Sequence, residues 1–174
     1  DLETRARDLG AEVRTVGGSS TFNFDGGVRA ARGNAQAYGG FFEGLSATYV
    51  RAGGAVVDSG NNVVTINQSL LDGGGGGGLV KTGEGSVTLG GANAYAGRTV
   101  VSNGYLSAAT AAALPGYGQD GRVEVCVGTG LAVGIGAGQW SETDIGLLLS
   151  HAAFGAGSVF GFDTASGNVT LGTS

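Results

Sequence analysis

Few residues in this chain carry side chains that do chemistry, and their spacing decides what chemistry is open to them. His151 is the only histidine and Cys126 the only cysteine. A hydrolytic triad needs an imidazole held between a nucleophile and a carboxylate. His151 instead falls late in a helix-like segment, where it complements the negative end of the helix dipole. Cys126 follows Val123 and Val125 in an alternating run that puts Val123, Val125 and Val127 on one face and Arg122, Glu124 and Cys126 on the other. With no histidine near it in sequence, Cys126 reads as a small apolar residue, not a reactive thiol. One cysteine also rules out an intrachain disulfide and a cysteine-based zinc site.

Three further patterns invite a chemical reading. The run Gly73 to Gly78, followed by Lys81-Thr82, has the composition of a phosphate loop. That loop closes on Gly-Lys-Ser/Thr and opens a helix, whereas here a turn and a strand follow, so the run reads as a flexible insertion at a corner. Asp58, Asn61 and Asn62, or Asp163 with Asn168, offer oxygen atoms of the kind calcium takes, but neither group has the Gly-Gly-x-Gly-x-Asp repeat of calcium-binding rolls. Tyr38, Tyr95, Tyr117 and Trp140 are candidates for stacking on sugar rings, with core packing or an end cap as the competing explanation. Asn67-Gln68-Ser69 and Asn168-Val169-Thr170 match a glycosylation acceptor, a pattern common by chance. The 14 acidic residues are scattered and form no cluster of the kind a polysaccharide-cleaving enzyme needs. No catalytic, cofactor-binding or metal-ligating residue is assigned, and no cofactor is expected.

The elements that position these residues are short. Glycine supplies 38 of the 174 residues, against one proline and one lysine. The glycines have no three-residue period and stand beside 41% hydrophobic residues, so the chain is neither collagen-like nor compositionally disordered. A net charge of -5 leaves no basic stripe for nucleic acid. No window is long and apolar enough to span a bilayer. The start at Asp1, inside a charged stretch, reads as a processed product or a piece of something longer.

Strands of three to five residues are expected at Thr21–Phe24, Val28–Ala30, Ala47–Arg51, Ala55–Val57, Val63–Ile66, Leu70-Leu71, Leu79-Val80, Ser86–Leu89, Thr99–Val101, Tyr105-Leu106, Arg122–Val127, Leu131–Ile135, Val159–Phe162 and Asn168–Leu171. Lys81 to Gly85 reads as a polar turn. Asp1 to Val16 is either a weak helical stripe or a frayed start running into a strand from Ala11, and the second is preferred. Gly33 to Leu45, with Tyr38, Phe41 and Phe42, is expected to cover an end or side of the core. The best helix is Ser141–Ala153, with Ser141 as N-cap and Ile145, Leu148, Leu149 and Ala152 as its apolar face. Buried columns are expected from Val56, Val64, Ile66, Val80, Val87, Leu89, Val100, Leu106, Val125 and Val133.

One stretch carries a resemblance. Gly78-Leu79-Val80-Lys81-Thr82-Gly83, Gly85-Ser86-Val87-Thr88-Leu89, Gly91-Ala92-Asn93-Ala94-Tyr95-Ala96-Gly97 and Thr99-Val100-Val101 with Gly104-Tyr105-Leu106 resemble the passenger-associated transport repeat, also called the autotransporter-associated β-strand repeat, of bacterial surface proteins. The resemblance implies an all-β, right-handed parallel β-helix, here with one short helix near the C-terminus. It also implies a secreted or cell-surface location in a Gram-negative-type bacterium. Residues 1–174 are then one solenoid domain with the repeat at about 73–106. Its function is expected to be a non-catalytic stiff module or fibre subunit, with a carbohydrate- or surface-binding adhesin module as the alternative and a polysaccharide-active enzyme behind it. The expected partners are further copies stacked head to tail or flanking repeats of a longer chain, with surface glycans as a further candidate.

Overall fold

A computed structural model describes residues 11–16, 19–30 and 44–164. Its strands are β1 (Ala11–Val16), β2 (Ser19–Phe24), β3 (Val28–Ala30), β4 (Ala47–Val50), β5 (Ala55–Asp58), β6 (Val63–Ile66), β7 (Leu70–Asp72), β8 (Leu79–Thr82), β9 (Ser86–Leu89), β10 (Thr99–Val101), β11 (Tyr105–Ala108), β12 (Val123–Val125), β13 (Gly130–Gly134), β14 (Ala153–Phe154) and β15 (Val159–Asp163). One α-helix among the described residues, α1 (Glu142–His151), lies between β13 and β14. From β2 on, the strands stack as a parallel β-solenoid with three faces, ordered β2-β4-β7, β14-β12-β10-β8-β5-β3 and β15-β13-β11-β9-β6, and β1 pairs antiparallel with β2.

Each coil turns three times, and glycine makes the turns narrow enough for the coils to lie at strand spacing. A Cβ on Gly77 would overlap the Arg51 carbonyl of the coil before, so only glycine fits there. Gly104 combines φ of 66° with backbone of the preceding coil close against it, a position that L side chains resist twice over. The six-glycine run is therefore part of the stacked corner and not an insertion into it. Its neighbours bond across coils, with Gly97 N–H donating to Gly77 C=O at 2.8 Å and Ala55 N–H to Gly78 C=O at 2.8 Å.

Inside the coils, residues in register form columns. On the third face Val64, Val87, Leu106, Leu131 and Phe160 lie one above another, as do Ile66, Leu89, Ala108, Val133 and Phe162. On the second face the inward columns are Ala55, Leu79, Thr99 and Val123, and Val57, Lys81, Val101, Val125 and Phe154. Val64, Ile66, Val87, Leu89, Leu106, Val125 and Val133 are buried as expected. Val56, Val80 and Val100 are not. They form an outward column one residue out of phase, because a strand with valine on both faces gives alternation nothing to choose between.

The first face changes character along the rod. Strands β2, β4 and β7 build its early coils, then strand pairing stops. Asn93 takes over: its side-chain carbonyl accepts from Leu70 N–H at 2.9 Å and its amide donates to Ala113 C=O at 2.7 Å. One side chain thus does between two coils what a peptide group does elsewhere. Tyr95, then Leu114, then Trp140 with Ile145 and Leu148 of α1 fill this side in successive coils, all of them buried. The Trp140 indole N–H donates to Ala108 C=O at 2.9 Å.

α1 begins with a full capping box, in which Asp144 N–H donates to Ser141 Oγ and Ser141 N–H donates to the Asp144 carboxylate. It ends at His151, two residues earlier than expected, and Ala153–Phe154 is a strand that alternation did not mark. Leu149, placed on the apolar face from sequence, is exposed. The strand at Arg122–Val127 also stops early, at Val125, which leaves Val127 exposed in the following turn. The expectations for residues 1–10 and 33–43 and for Asn168–Leu171 lie outside the described residues. Within α1, Gly146 has open space where its Cβ would stand. Gly146→Ala should therefore stabilise the protein by about 1 kcal/mol, read as a raised thermal midpoint.

Candidate functional site

Three of the residues singled out for chemistry turn out to be occupied in holding the fold. His151 caps its own helix: Nδ1 lies 2.8 Å from Leu147 C=O, and Nε2 is 4.0 Å from the exposed Asp120 carboxylate. Cys126 is half-buried at the end of β12, with Sγ 4.0 Å from a Glu124 carboxylate oxygen. Asp58 accepts from Gly60 N–H at 2.8 Å, and the Asn62 amide donates to Ser59 C=O at 3.0 Å. Those last two bonds form the turn between β5 and β6, so an Asp58 oxygen once considered for calcium is engaged in closing a corner. Asp163 lies in β15.

The aromatics divide differently from the sequence reading. Tyr95 and Trp140 are core residues, and Tyr95 Oη pairs with Thr99 Oγ1 at 2.6 Å in the interior. Tyr117 is half-buried, edge-on to Trp140 with ring centroids 4.8 Å apart, and donates its hydroxyl hydrogen to Asp144 at 2.5 Å. That bond pushes the Tyr117 phenol up to about 12. The Asp144 carboxyl is held below its ordinary value, first by the Ser141 hydroxyl and then by Tyr117. Tyr105 does face solvent from a strand, 54% exposed on the outside of the third face. Its ring carbons lie over Gly130 of the next coil, in the space a Cβ would take. Sequence reading had counted Tyr105 only as part of a strand.

Lys81 is the residue that sequence reading missed most. It was assigned to a polar turn, yet it stands in β8, points inward and is fully buried. Its ammonium donates to three carbonyls, Thr82 at 2.8 Å, Gly83 at 2.7 Å and Asn103 at 2.8 Å. The first two belong to its own corner and the third to the corner of the next coil, so one cation ties two coils together. Three N–H donors meet three acceptors, which is the condition for burying such a group. The signal was present in sequence: Leu79 and Lys81 share one parity of the strand.

Burial pulls the Lys81 amine down to about 8 from 10.5, with nearby Asp58 acting in the opposite direction. The folded chain then releases this proton at lower pH than the unfolded chain does. Between pH 8 and about 10 the unfolded state binds more protons, so stability should rise with pH. Above pH 10 the buried Tyr95 phenol, held up chiefly by desolvation, reverses the trend, because only the unfolded chain ionises it. Thermal midpoints measured from pH 7.5 to 9.5 should climb in the native chain and stay flat in Lys81→Met.

Among the described residues, no three His, Cys, Asp or Glu side chains gather where they could hold a metal ion. What the molecule presents instead is a run of stacked coils tied together by side-chain bonds such as those of Lys81 and Asn93. The family model of the passenger-associated transport repeat matches residues 79–108. The chain carries that repeat. It occupies β8 to β11 and contains Lys81 and Asn93, whose side chains bond across coils. The chain is also similar to the adhesin BmaC autotransporter of Brucella suis biovar 1 (strain 1330), with 40% identity over 81 residues. That alignment covers 44% of this chain and 2% of the relative, so the chain spans a very small part of the length of this relative. No solved structure matches.

Proposed function

We propose that the chain is a non-catalytic, stiff β-solenoid module of a bacterial surface adhesin, secreted or displayed outside a Gram-negative-type cell. The observation that carries this reading is the continuous parallel ladder, together with the bonds that Lys81 and Asn93 of the repeat make between coils. The similarity to an autotransporter adhesin supports the class of protein and its location. A solenoid of this kind acts as a spacer, holding other parts of a polypeptide away from a surface by its length.

Of the two end-to-end arrangements, covalent module and homopolymer, the size of the relative favours a module within a longer chain. A carbohydrate-binding role is the second reading, favoured by the exposed Tyr105 on an otherwise flat face. Scattering from the purified chain should give the profile of a straight rod, and incubation with surface polysaccharides should give no turnover. A compact particle would sink the spacer reading, and turnover abolished by changing one carboxylate would sink the non-catalytic one. Loss of glycan binding in Tyr105→Ala would move the function to the second reading.

A further inference from the structure

Asn103 and Gly104 form the corner between β10 and β11, and they are the one asparagine–glycine pair in the sequence. Asn103 is exposed. Gly104 N–H donates to Asn103 Oδ1 at 2.8 Å, which brings the main-chain nitrogen against the side-chain amide that precedes it. The chain is pinned on either side. Ser102 N–H donates to Lys81 C=O at 3.0 Å, and Tyr105 N–H donates to Gly85 C=O at 3.1 Å.

A further contact acts on the same peptide group. Lys81 Nζ donates to the Asn103 main-chain carbonyl at 2.8 Å, and that carbonyl shares its peptide bond with the Gly104 N–H. An ammonium on the oxygen draws charge out of the amide and makes its N–H a stronger acid. Negative charge formed on the nitrogen is delocalised onto that oxygen, where the cation already stands.

We propose that Asn103 is a self-modification site, at which the folded chain converts asparagine to isoaspartate with the Lys81 ammonium stabilising the charge that develops. Gly104 N gives its proton to water and attacks Asn103 Cγ. The N–Cγ bond forms, the Cγ–Nδ2 bond breaks, and Nδ2 takes a proton from water and leaves as ammonia. A second water then opens the five-membered imide at the Asn103 main-chain carbonyl. The bond from that carbon to Gly104 N breaks. Water supplies oxygen to the carbon and a proton to the nitrogen, and its other proton goes to solvent. Nothing is oxidised or reduced, and water is the only co-reactant.

Lys81 also sets the direction of opening. Attack at the main-chain carbonyl puts the oxyanion on the atom to which the ammonium donates. Attack at Cγ, which gives aspartate, puts it on Oδ1 instead. The isoaspartyl product carries a carboxylate on the carbon whose oxygen Lys81 held, so a buried cation gains a counter-charge. Asn93 is the internal contrast, because it precedes alanine and both ends of its amide are bonded between coils.

Peptide mapping of the full chain aged at neutral pH, beside the same chain unfolded in urea, tests this. Asn103 should convert ahead of every other asparagine, with a larger isoaspartate-to-aspartate ratio in the folded chain than in the unfolded one. Lys81→Met should slow conversion in the folded chain roughly tenfold or more and leave the unfolded rate unchanged. If Lys81→Met does not fold, a pH series on the native chain replaces it. The rate should then climb with hydroxide and flatten above about pH 8, as Lys81 gives up its proton against the pull of Asp58 from the coil before. Survival of Asn103 in the folded chain while the unfolded chain converts would overturn the site. Equal or faster conversion in folded Lys81→Met, or a rate that follows hydroxide throughout, would overturn the role of the cation. An isoaspartate share no larger folded than unfolded would overturn the direction of opening. The inference stands apart from the module reading, since none of these measurements reports rod shape, glycan binding or turnover.

Discussion

Leu89→Asp is expected to abolish the cooperative unfolding transition and to leave a chain without near-ultraviolet circular dichroism. Leu89 is fully buried, between Ile66 of the coil before and Ala108 of the coil after. These column neighbours are apolar side chains, which offer a carboxylate no hydrogen bond. An unpaired charge there, added to the lost apolar contacts, costs about 5 kcal/mol or more, which is comparable with the whole stability of a domain. Leu89→Ala, which creates a cavity without a charge, should cost roughly 2–5 kcal/mol and leave a weaker transition visible. If Leu89→Asp melted like the native chain, the inward column assigned to the third face would be wrong.

Gly77→Ala is the second large effect, and it comes from the backbone. The added methyl carbon has nowhere to go, because the atoms it meets are the Arg51 carbonyl and Gly54 N–H of the neighbouring coil. Neither can turn aside as a side chain would. The two coils must separate locally, which strains the bond from Ala55 N–H to Gly78 C=O. The expected cost is about 3 kcal/mol or more. Gly118→Ala is the matched control, since its Cβ would make only ordinary contact with Leu147. Denaturant midpoints of the two variants should differ widely, and equal midpoints would show that the corner relaxes freely.

The positions of the strands were legible in the sequence for a physical reason. Glycine corners bound each apolar run, so Val28–Ala30, Val63–Ile66, Ser86–Leu89 and Thr99–Val101 were delimited to the residue. Which face of a strand turns inward was legible only where the two faces differ. Ser86, Val87, Thr88 and Leu89 declare their phase, and it is correct. Val56-Val57 and Val100-Val101 do not, and Lys81, read as the start of a polar turn, was not counted in a strand. The charge is instead neutralised by geometry that only the stacked coils create. Carbonyls from Gly83 and Asn103 belong to different corners, and no local pattern foretells their convergence. Asn93 escaped notice for the same reason. Of the candidate site, the exposure of Tyr105 depended on which face of β11 turned out.

The shift on the first face from strand to loop to helix has a further consequence. Two faces keep their hydrogen-bonded register through every later coil, whereas the remaining side is closed by single anchoring side chains: Asn93 and Tyr95, then Leu114, then Trp140 with α1. Segments attached in this way can gain or lose residues without displacing the strands above and below them. The rod thus has a grain, with two conservative walls that fix its pitch and one permissive wall where whole loops or helices can be exchanged. Diversity in such a surface protein would accumulate along that one wall, in a line parallel to the axis.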